Sequence, residues 1–552
     1  MNLTNWWEKA VGYQIYPKSF FDSNNDGIGD LNGIRQKIPY LQSLGINFVW
    51  LCPIYNSPGV DNGYDISDYR SIDPQYGTMQ DFEDLIKEFH KSNIKVVMDL
   101  VLNHTSDQHE WFQQAKSSID NPFHDYYIWK KVKNNSVPNN WQSIFGGSGW
   151  QYNSPTNEYY FHLYASQQPD LNWENQKLRE EMHDVIKYWI QKGVDGFRLD
   201  AITHLKKLQT FENVDDTDIA TRNVPGIEIF LKDLKKLYDE YNVMTVGEVG
   251  GVTPEEAAKW VNPKNGFMDL LFQFDHVNFG DEHKFDFTTK NVSEIRKSLS
   301  RWQQAVEHEN GSLGLFIENH DLPRAISYFG DEEPDQREAS AKAIALMYFL
   351  MKGIPFIYEG QELGMTNKKI TSVSELDDID SIRFYREELQ KNINAQIALS
   401  KVAFKGRDNA RTPVQWTNQQ FGGFSTVNPW IQPNKNYKEI NADDQVSRNT
   451  SVFNFYKKMI KIRKQNPTLQ SGTFTLEAEE TDNVIAYRRF NNQETWLIIV
   501  NLSHQVIDYK IPYDLQKLNY EVILNSGCID INSNQFELGK WGAILIKFKN
   551  KG

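Results

Sequence analysis

Two cysteines in 552 residues exclude a disulfide framework and leave room for one bridge at most. Cys52 falls in an apolar strand pattern and reads as a buried, inert thiol. Uncharged apolar runs are short, and none approaches the length needed to span a bilayer. The first ten residues lack a basic stretch followed by an apolar one, so no secretory leader is expected and a soluble, cytoplasmic protein is. Basic residues are in deficit. Lys and Arg number 59 against 73 Asp and Glu, a net charge of −14, which argues against nucleic-acid and anionic-membrane partners. No low-complexity tail or linker appears, so the domains are expected to pack tightly.

What the chain has is alternation. Short β-rich apolar runs occur at 12–16, 47–51, 95–100, 196–199, 244–246, 270–274, 313–317 and 355–358. Between them lie segments with apolar residues three and four apart, as in Ile34, Ile38 and Leu41 within 31–43, Phe82, Leu85, Ile86 and Phe89 within 81–91, and Met182, Val185, Ile186 and Trp189 within 178–191. Segments 341–351 and 452–462 are similar. Strand–helix alternation implies a parallel sheet, and eight repeats imply a closed (β/α)8 TIM barrel. The alternation breaks at 105–173, rich in Asn, Gln, Trp and Tyr, and again at 362–446. The expected organisation is a barrel from 1–104 and 174–470, an inserted subdomain at 105–173 after strand 3, and a C-terminal antiparallel β domain at 471–552. Runs at 484–489, 494–501, 520–524 and 542–548 supply that domain's strands, with turns expected at Asn491-Asn492 and Asn525-Ser526-Gly527.

Three carboxylates follow three of the strand candidates: Asp200 after Gly196-Phe-Arg-Leu, Glu248 after Met244-Thr-Val-Gly, and Asp321 after Asn319-His320. The C-terminal ends of barrel strands converge on one point, where such folds place their active sites. Clustered carboxylates suit glycosidic bond cleavage, one as nucleophile and one as proton donor. Arg198 and Asp200 alternate on a strand and face the same side, so Arg198 is expected to hold Asp200 ionised. Glu248 follows a strand with little charge nearby, and a partly apolar pocket would keep it protonated as a general acid. Asp321, beside an imidazole, is suited to stabilise positive charge on a sugar ring.

The stretch Asp22-Ser-Asn-Asn-Asp-Gly-Ile-Gly-Asp30 carries oxygen ligands at every second residue and glycine at the sixth position. This matches the first nine positions of a calcium loop, although position twelve is Gly33 rather than a bidentate Glu. The expectation is one structural Ca2+, or Mg2+, held by Asp22, Asn24, Asp26, the Ile28 carbonyl and Asp30.

These segments together resemble the α-amylase superfamily of glycoside hydrolases, over nearly the whole chain. Asp99–His104, Gly196–Asp200, Val246–Glu248 and Asn319–Asp321 resemble its four shared motifs, and Gln168-Pro-Asp-Leu-Asn172 resembles the extra motif of its oligo-1,6-glucosidase branch. The segments 13–20, 62–67 and 410–416 match in the same way. The resemblance implies Asp200 as nucleophile, Glu248 as acid/base and Asp321 as transition-state stabiliser. It implies that Asp61, Tyr64, His104, Arg198, His320 and Arg411 hold the terminal glucose, with Phe145, Tyr164 and Gln168 on the pocket wall. Tyr164 stands where Phe is usual. A retaining mechanism follows, with the two reacting carboxyls roughly 5–5.5 Å apart. Ala201 follows the nucleophile where Val accompanies 1,6-cleaving and Thr 1,4-cleaving members. Glu248-Val-Gly-Gly replaces the common Glu-Met-Pro-Gly. The implied activity is removal of terminal glucose from short α-1,6-linked oligosaccharides by a monomer or weak homo-oligomer, without an organic cofactor. A sucrose isomerase or glucosyltransferase, an α-1,4-glucosidase and a trehalose-6-phosphate hydrolase of the same branch are the alternatives. The Arg-Leu-Asp-Arg-Asp loop of isomerases is not evident around 275–325. A non-catalytic transporter partner would be expected to lose the acids.

Overall fold

The computed structural model describes residues 5–131, 136–277, 284–285, 291–477, 481–531 and 535–550. Eight parallel strands form its centre: β1 (Gly12–Ile15), β2 (Phe48–Leu51), β3 (Lys95–Val101), β4 (Gly196–Asp200), β5 (Met244–Glu248), β6 (Leu270–Phe272), β7 (Gly314–Leu315) and β8 (Ile354–Tyr358). They pair in the order β6-β5-β4-β3-β2-β1-β8-β7, and a single parallel bridge between Leu271 and Leu313 joins the two ends into a barrel. The strands are mostly apolar because both faces are buried, one by helices and one by the barrel's own filling, and the few charged side chains, such as Asp99, Arg198 and Asp200, pair with one another. Phe48, Phe272 and Phe356 meet edge to face inside, with ring centroids 4.8 and 5.2 Å apart, and Trp50 stacks on Phe272 at 5.5 Å. Gly12 and Gly314 make room for this plug: a Cβ on either would lie 2.4 or 2.6 Å from a phenyl carbon of Phe48 or Phe272.

Two long excursions leave the C-terminal ends of strands. The one after β3 carries a helix at Glu110–Ala115 and a three-stranded antiparallel sheet, Trp129–Lys131, Trp150–Asn153 and Glu158–Phe161. Its core of Trp141, Trp150 and Phe161 is completed by Ala220 and Phe211 from the loop after β4. The excursion after β8 contains two helices, Ile379–Gln390 and Ala395–Lys405, in a stretch expected to be a long irregular excursion. Asp378 caps the first of them, accepting from the backbone N–H groups of Asp380 and Ser381.

Two expectations need correction. The helix expected over 31–43 is two helices, Leu31–Gln36 and Ile38–Leu44, because Pro39 at the second position of the latter has no N–H and the chain turns at Lys37. The turn expected at Asn525-Ser526-Gly527 lies inside a twelve-residue strand, Tyr520–Ile531, whose register shifts against Gln535–Lys549 absorb those residues as bulges. That pair belongs to a C-terminal antiparallel sheet with Thr473–Glu477, Val484–Phe490, Glu494–Asn501 and Ile507–Lys510. Its side chains alternate between two cores. Ile485, Tyr487, Trp496, Ile498 and Leu545 join the barrel's core, while Val484, Ala486, Leu497, Ile499 and Ile544 build a second one on the far face.

Candidate active site

Asp200 is the last residue of β4 and Glu248 the last of β5; Asp321 lies six residues beyond β7. All three line one cavity of about 1050 Å³ at the C-terminal mouth of the barrel. Arg198, inward-facing on β4 and 1% exposed, organises them from below. Its Nη1 donates to Asp99 Oδ1 at 2.8 Å and to Asp200 Oδ1 at 2.7 Å, and its Nη2 donates to Glu248 Oε2 at 2.7 Å. Glu248 is therefore not remote from charge, contrary to the sequence expectation; Arg198 reaches it from the neighbouring strand, and the Ala201 N–H adds a second donor at 3.2 Å. Arg198 is also not a private partner of Asp200. Burial pushes the Asp200 carboxyl well above its usual range; Arg198 opposes this, while Glu248, Asp99 and Asp321 add to the rise. Burial raises the Asp99 carboxyl as well, against the same Arg198 charge, so two acids on one guanidinium are both biased towards their protonated forms.

Asp321 is in the reverse condition. Burial would lift its carboxyl, but His320, Arg407 and Arg411 outweigh burial and hold it well below the usual carboxylate range. The contacts are 3.1 Å to His320 Nε2, 3.4 Å to Arg407 Nη1 and 3.0 Å to Arg411 Nη2. Burial drives the His320 imidazole down to about 3, so the permanent charges beside Asp321 are the two guanidiniums. The Gln14 amide donates to His320 Nδ1 at 2.8 Å, which assigns the proton to Nε2, 2.7 Å from the Tyr64 hydroxyl. Tyr64 in turn donates to Asp99 Oδ2 at 2.9 Å.

Of the residues expected to hold a sugar, Asp61, Tyr64, His104, Phe145, Tyr164 and Ala201 line the cavity. Gln168, Arg198, His320 and Arg411 stand behind that lining and fix its side chains. Gln168 Nε2 lies 3.3 Å from Asp61 Oδ2 and 3.1 Å from His104 Nε2. Phe145 packs edge-on against Tyr164, and the Arg407 guanidinium lies 5.6 Å from the Phe145 ring. Arg407 is the residue sequence reasoning missed. It lines the cavity, donates to Asp61 Oδ1 at 3.0 Å and to Asp378 Oδ1 at 2.6 Å, and reaches Asp321. It stands four residues before Arg411 in one short segment, and only side-chain direction separates the two. Ala201 takes a left-handed backbone (φ 47°), which a β-branched side chain would adopt only with greater strain.

The wall between the two excursions is closed by a close approach. Arg383 from the helix at 379–390 lies where a Cβ on Gly146 would sit, 1.7 Å from its Nη1, and it pairs with Glu387 at 2.7 Å. Gly146 has φ +84°.

The oxygen-rich loop is wound tightly. Asp22 Oδ1 accepts from the N–H groups of Asn24 and Asn25, Asp22 Oδ2 from Gly27, and Asp26 Oδ1 from Ile28. Asp30 caps the helix at Leu31–Gln36 through Gly33 and also takes the Ser23 hydroxyl. The donor set of carboxylates, an amide oxygen and a carbonyl fits a hard divalent cation. Among the described residues no group of three or more His, Cys, Asp and Glu side chains is gathered as a metal site. Both cysteines are free, and no helix among the described residues is long and apolar enough to cross a membrane.

Comparison with known proteins follows the same lines. Residues 14–472 match the family model for the alpha amylase catalytic domain. The oligo-1,6-glucosidase of Parageobacillus thermoglucosidasius is 41% identical over 99% of both chains. The trehalose-6-phosphate hydrolase of Bacillus subtilis (strain 168) is 44% identical over 93% of this chain and 92% of its own. The crystal structure of Bacillus licheniformis trehalose-6-phosphate hydrolase superposes with a TM-score of 0.95 at 38% identity, covering 99% of this chain and all of that one.

Proposed function

Since the chain belongs to the α-amylase family of glycoside hydrolases, we propose that it is a retaining, exo-acting α-glucosidase that frees terminal glucose from short α-glucosides and favours α-1,6 links. One observation carries this reading: Asp200 and Glu248 sit on adjacent nitrogens of a single buried guanidinium, in one cavity with Asp321. Asp200 attacks the anomeric carbon while Glu248 gives its proton to the glycosidic oxygen, and the departing sugar leaves as an alcohol. Water then enters, Glu248 takes its proton, and the hydroxide displaces Asp200 to release glucose with its configuration retained. Asp321, held ionised, faces the positive charge that grows on the ring in both steps. Asp61 and Arg407 grip the terminal glucose, and the approach of Arg383 to Gly146 brings the two excursions together along one wall of the pocket. The preference for 1,6 links rests on the relatives named oligo-1,6-glucosidase; the small Ala201 leaves space for other linkages beside them.

Product analysis on isomaltose, maltose and sucrose tests the assignment. Isomaltose is expected to turn over fastest, with α-glucose as the first anomer seen by NMR, and Asp200→Asn is expected to cut kcat at least about 10⁴-fold. A strong maltose preference would reverse the linkage assignment, formation of a rearranged disaccharide from sucrose would point to isomerisation, and β-glucose as first product would end the retaining mechanism.

The loop at Asp22, Asn24, Asp26, Ile28 and Asp30 is proposed to take a structural Ca2+. Chelator is expected to lower the melting temperature by several degrees, with restoration by added Ca2+; no shift on chelation would remove the ion from the account. A cytoplasmic location accords with two free thiols and no disulfide.

A further inference from the structure

A third arginine, besides Arg383 and Arg407, enters the cavity by a route the catalytic reading does not use. Arg222 lies in the loop after β4, at the end of the short helix Thr217–Thr221, and it lines the cavity together with Gly250 and Gly251. Gly251 is three residues past Glu248, with φ +70°. A Cβ there would lie 2.3 Å from Arg222 Cδ and 2.8 Å from its Nη1, so the arginine occupies space that any other residue at 251 would claim. A Cβ at Gly250 would meet nothing within 4 Å, so the need for glycine is specific to the position under Arg222. The guanidinium is bound on one side only. Nη1 pairs with Asp218 at 2.7 Å, Nε is buried without an acceptor, and Nη2 has no acceptor among the described residues. Burying a donor unpaired is costly, and a simple surface ion pair would not require it.

Its place relative to the scissile bond follows from Glu248. The acid must face the oxygen of the departing group, so the backbone leading out of Glu248 through Gly250 and Gly251 borders that group rather than the trapped glucose. The glucose end is a separate bonded cluster of Asp61, Gln168, His104 and Arg407, whereas among the described residues the ion pair of Arg222 is with Asp218. We propose that Arg222 sets leaving-group preference, donating hydrogen bonds to the hydroxyls of the second sugar, and that residue 251 is glycine to admit it. This rests on the glucosidase reading above.

The test compares isomaltose with 4-nitrophenyl α-glucoside, which has the same glucose but a leaving group without hydroxyls. Arg222→Ala is expected to lower the ratio of kcat/KM for isomaltose over the aryl glucoside at least tenfold. Gly251→Ala, which pushes Arg222 aside, is expected to shift the same ratio in the same direction. The double variant is expected to match Arg222→Ala alone, since both changes remove one interaction. Aryl glucoside turnover also reports that each variant is folded. An unchanged ratio in Arg222→Ala, or additive losses in the double variant, would overturn the proposal. If the unaltered protein hydrolyses neither substrate, it is the glucosidase assignment that fails.

Discussion

Arg198 ties together more of the proposed catalytic centre than its neighbours do. One guanidinium touches Asp99, Asp200 and Glu248, and among the described residues no other Lys, Arg or His pairs with any of the three. With Asp200 raised by burial, the acid limb of kcat/KM is expected above the ordinary aspartate value of about 3.9. As the proposed nucleophile, Asp200 has to be ionised to attack, so activity is expected to fall as pH drops through that raised pKa. Removing Arg198 takes away the main opposing charge, and Arg198→Met is expected to move the limb further up by about one unit or more, alongside a large loss in kcat. A pH profile of both proteins measures this, and an unmoved limb would mean that Arg198 does not set the Asp200 charge. At this scale the sequence was informative in part. Asp200, Glu248 and Asp321 were legible because each follows an apolar run, and strand ends of a barrel share a mouth. The surroundings of Glu248 were not, since Arg198 is 50 residues away and reaches it only through strand pairing. Arg407 was hidden for a similar reason: its acid partners Asp61 and Asp321 lie in other loops.

Single elements depend on local grammar that the sequence shows unevenly. Long helices such as Met79–Lys91 are announced by apolar spacing, and the structure adds a capping box at Thr78 and Asp81 that carries the helix two residues further back than that spacing. The helices at Ile379–Gln390 and Ala395–Lys405 were missed because the first has few buried apolar residues and its cap, Asp378, is recognisable only with Arg407 beside it. Another junction ties β1, the helix at Ile38–Leu44 and the loop after β8 through Glu362, whose Oε1 accepts from the hydroxyls of Tyr13 at 2.8 Å and Tyr40 at 2.6 Å. Burial raises its carboxyl to about 7 against hydrogen bonds from Tyr40 and Tyr13 that lower it. An unfolded Glu ionises near 4.3, so between that pH and 7 only the unfolded chain releases the proton and stability declines as pH rises. Glu362→Gln escapes this decline. Its melting temperature relative to the unaltered protein is expected to improve by a few degrees from pH 5 to pH 8, corresponding to roughly 2–4 kcal/mol; a constant difference across that range would refute the buried titration.

For the whole molecule, the eight strands and the C-terminal sheet could be read from alternation, whereas how they join could not. The C-terminal sheet gives every second side chain to the barrel core, so the two parts share one apolar interior. Two arginines seal the joint, and their hydrogen bonds among the described residues go to backbone carbonyls. Arg489 Nη1 donates to the carbonyls of Leu350 and Leu469 and its Nη2 to that of Gly472, while Arg463 donates to Leu469 and Gly353. Burial lowers both, to about 10 and about 9, and both stay charged at neutral pH. The expectation is one cooperative thermal transition for barrel and sheet together. Arg489→Met strands several buried carbonyls at about 1–3 kcal/mol each, and calorimetry is expected to show a melting temperature lower by several degrees. Two separate transitions in the unaltered protein would contradict the shared interior.

The thiol of Cys52 lies 3.3 Å from the Gln14 amide that also orients His320 behind the cavity lining. It is 1% exposed, and burial keeps it protonated. Oxidants and alkylating agents thus meet neither an open path nor a thiolate at that point. This sulfur is shielded for as long as the barrel stays shut, and damage there becomes a record of molecules that have opened.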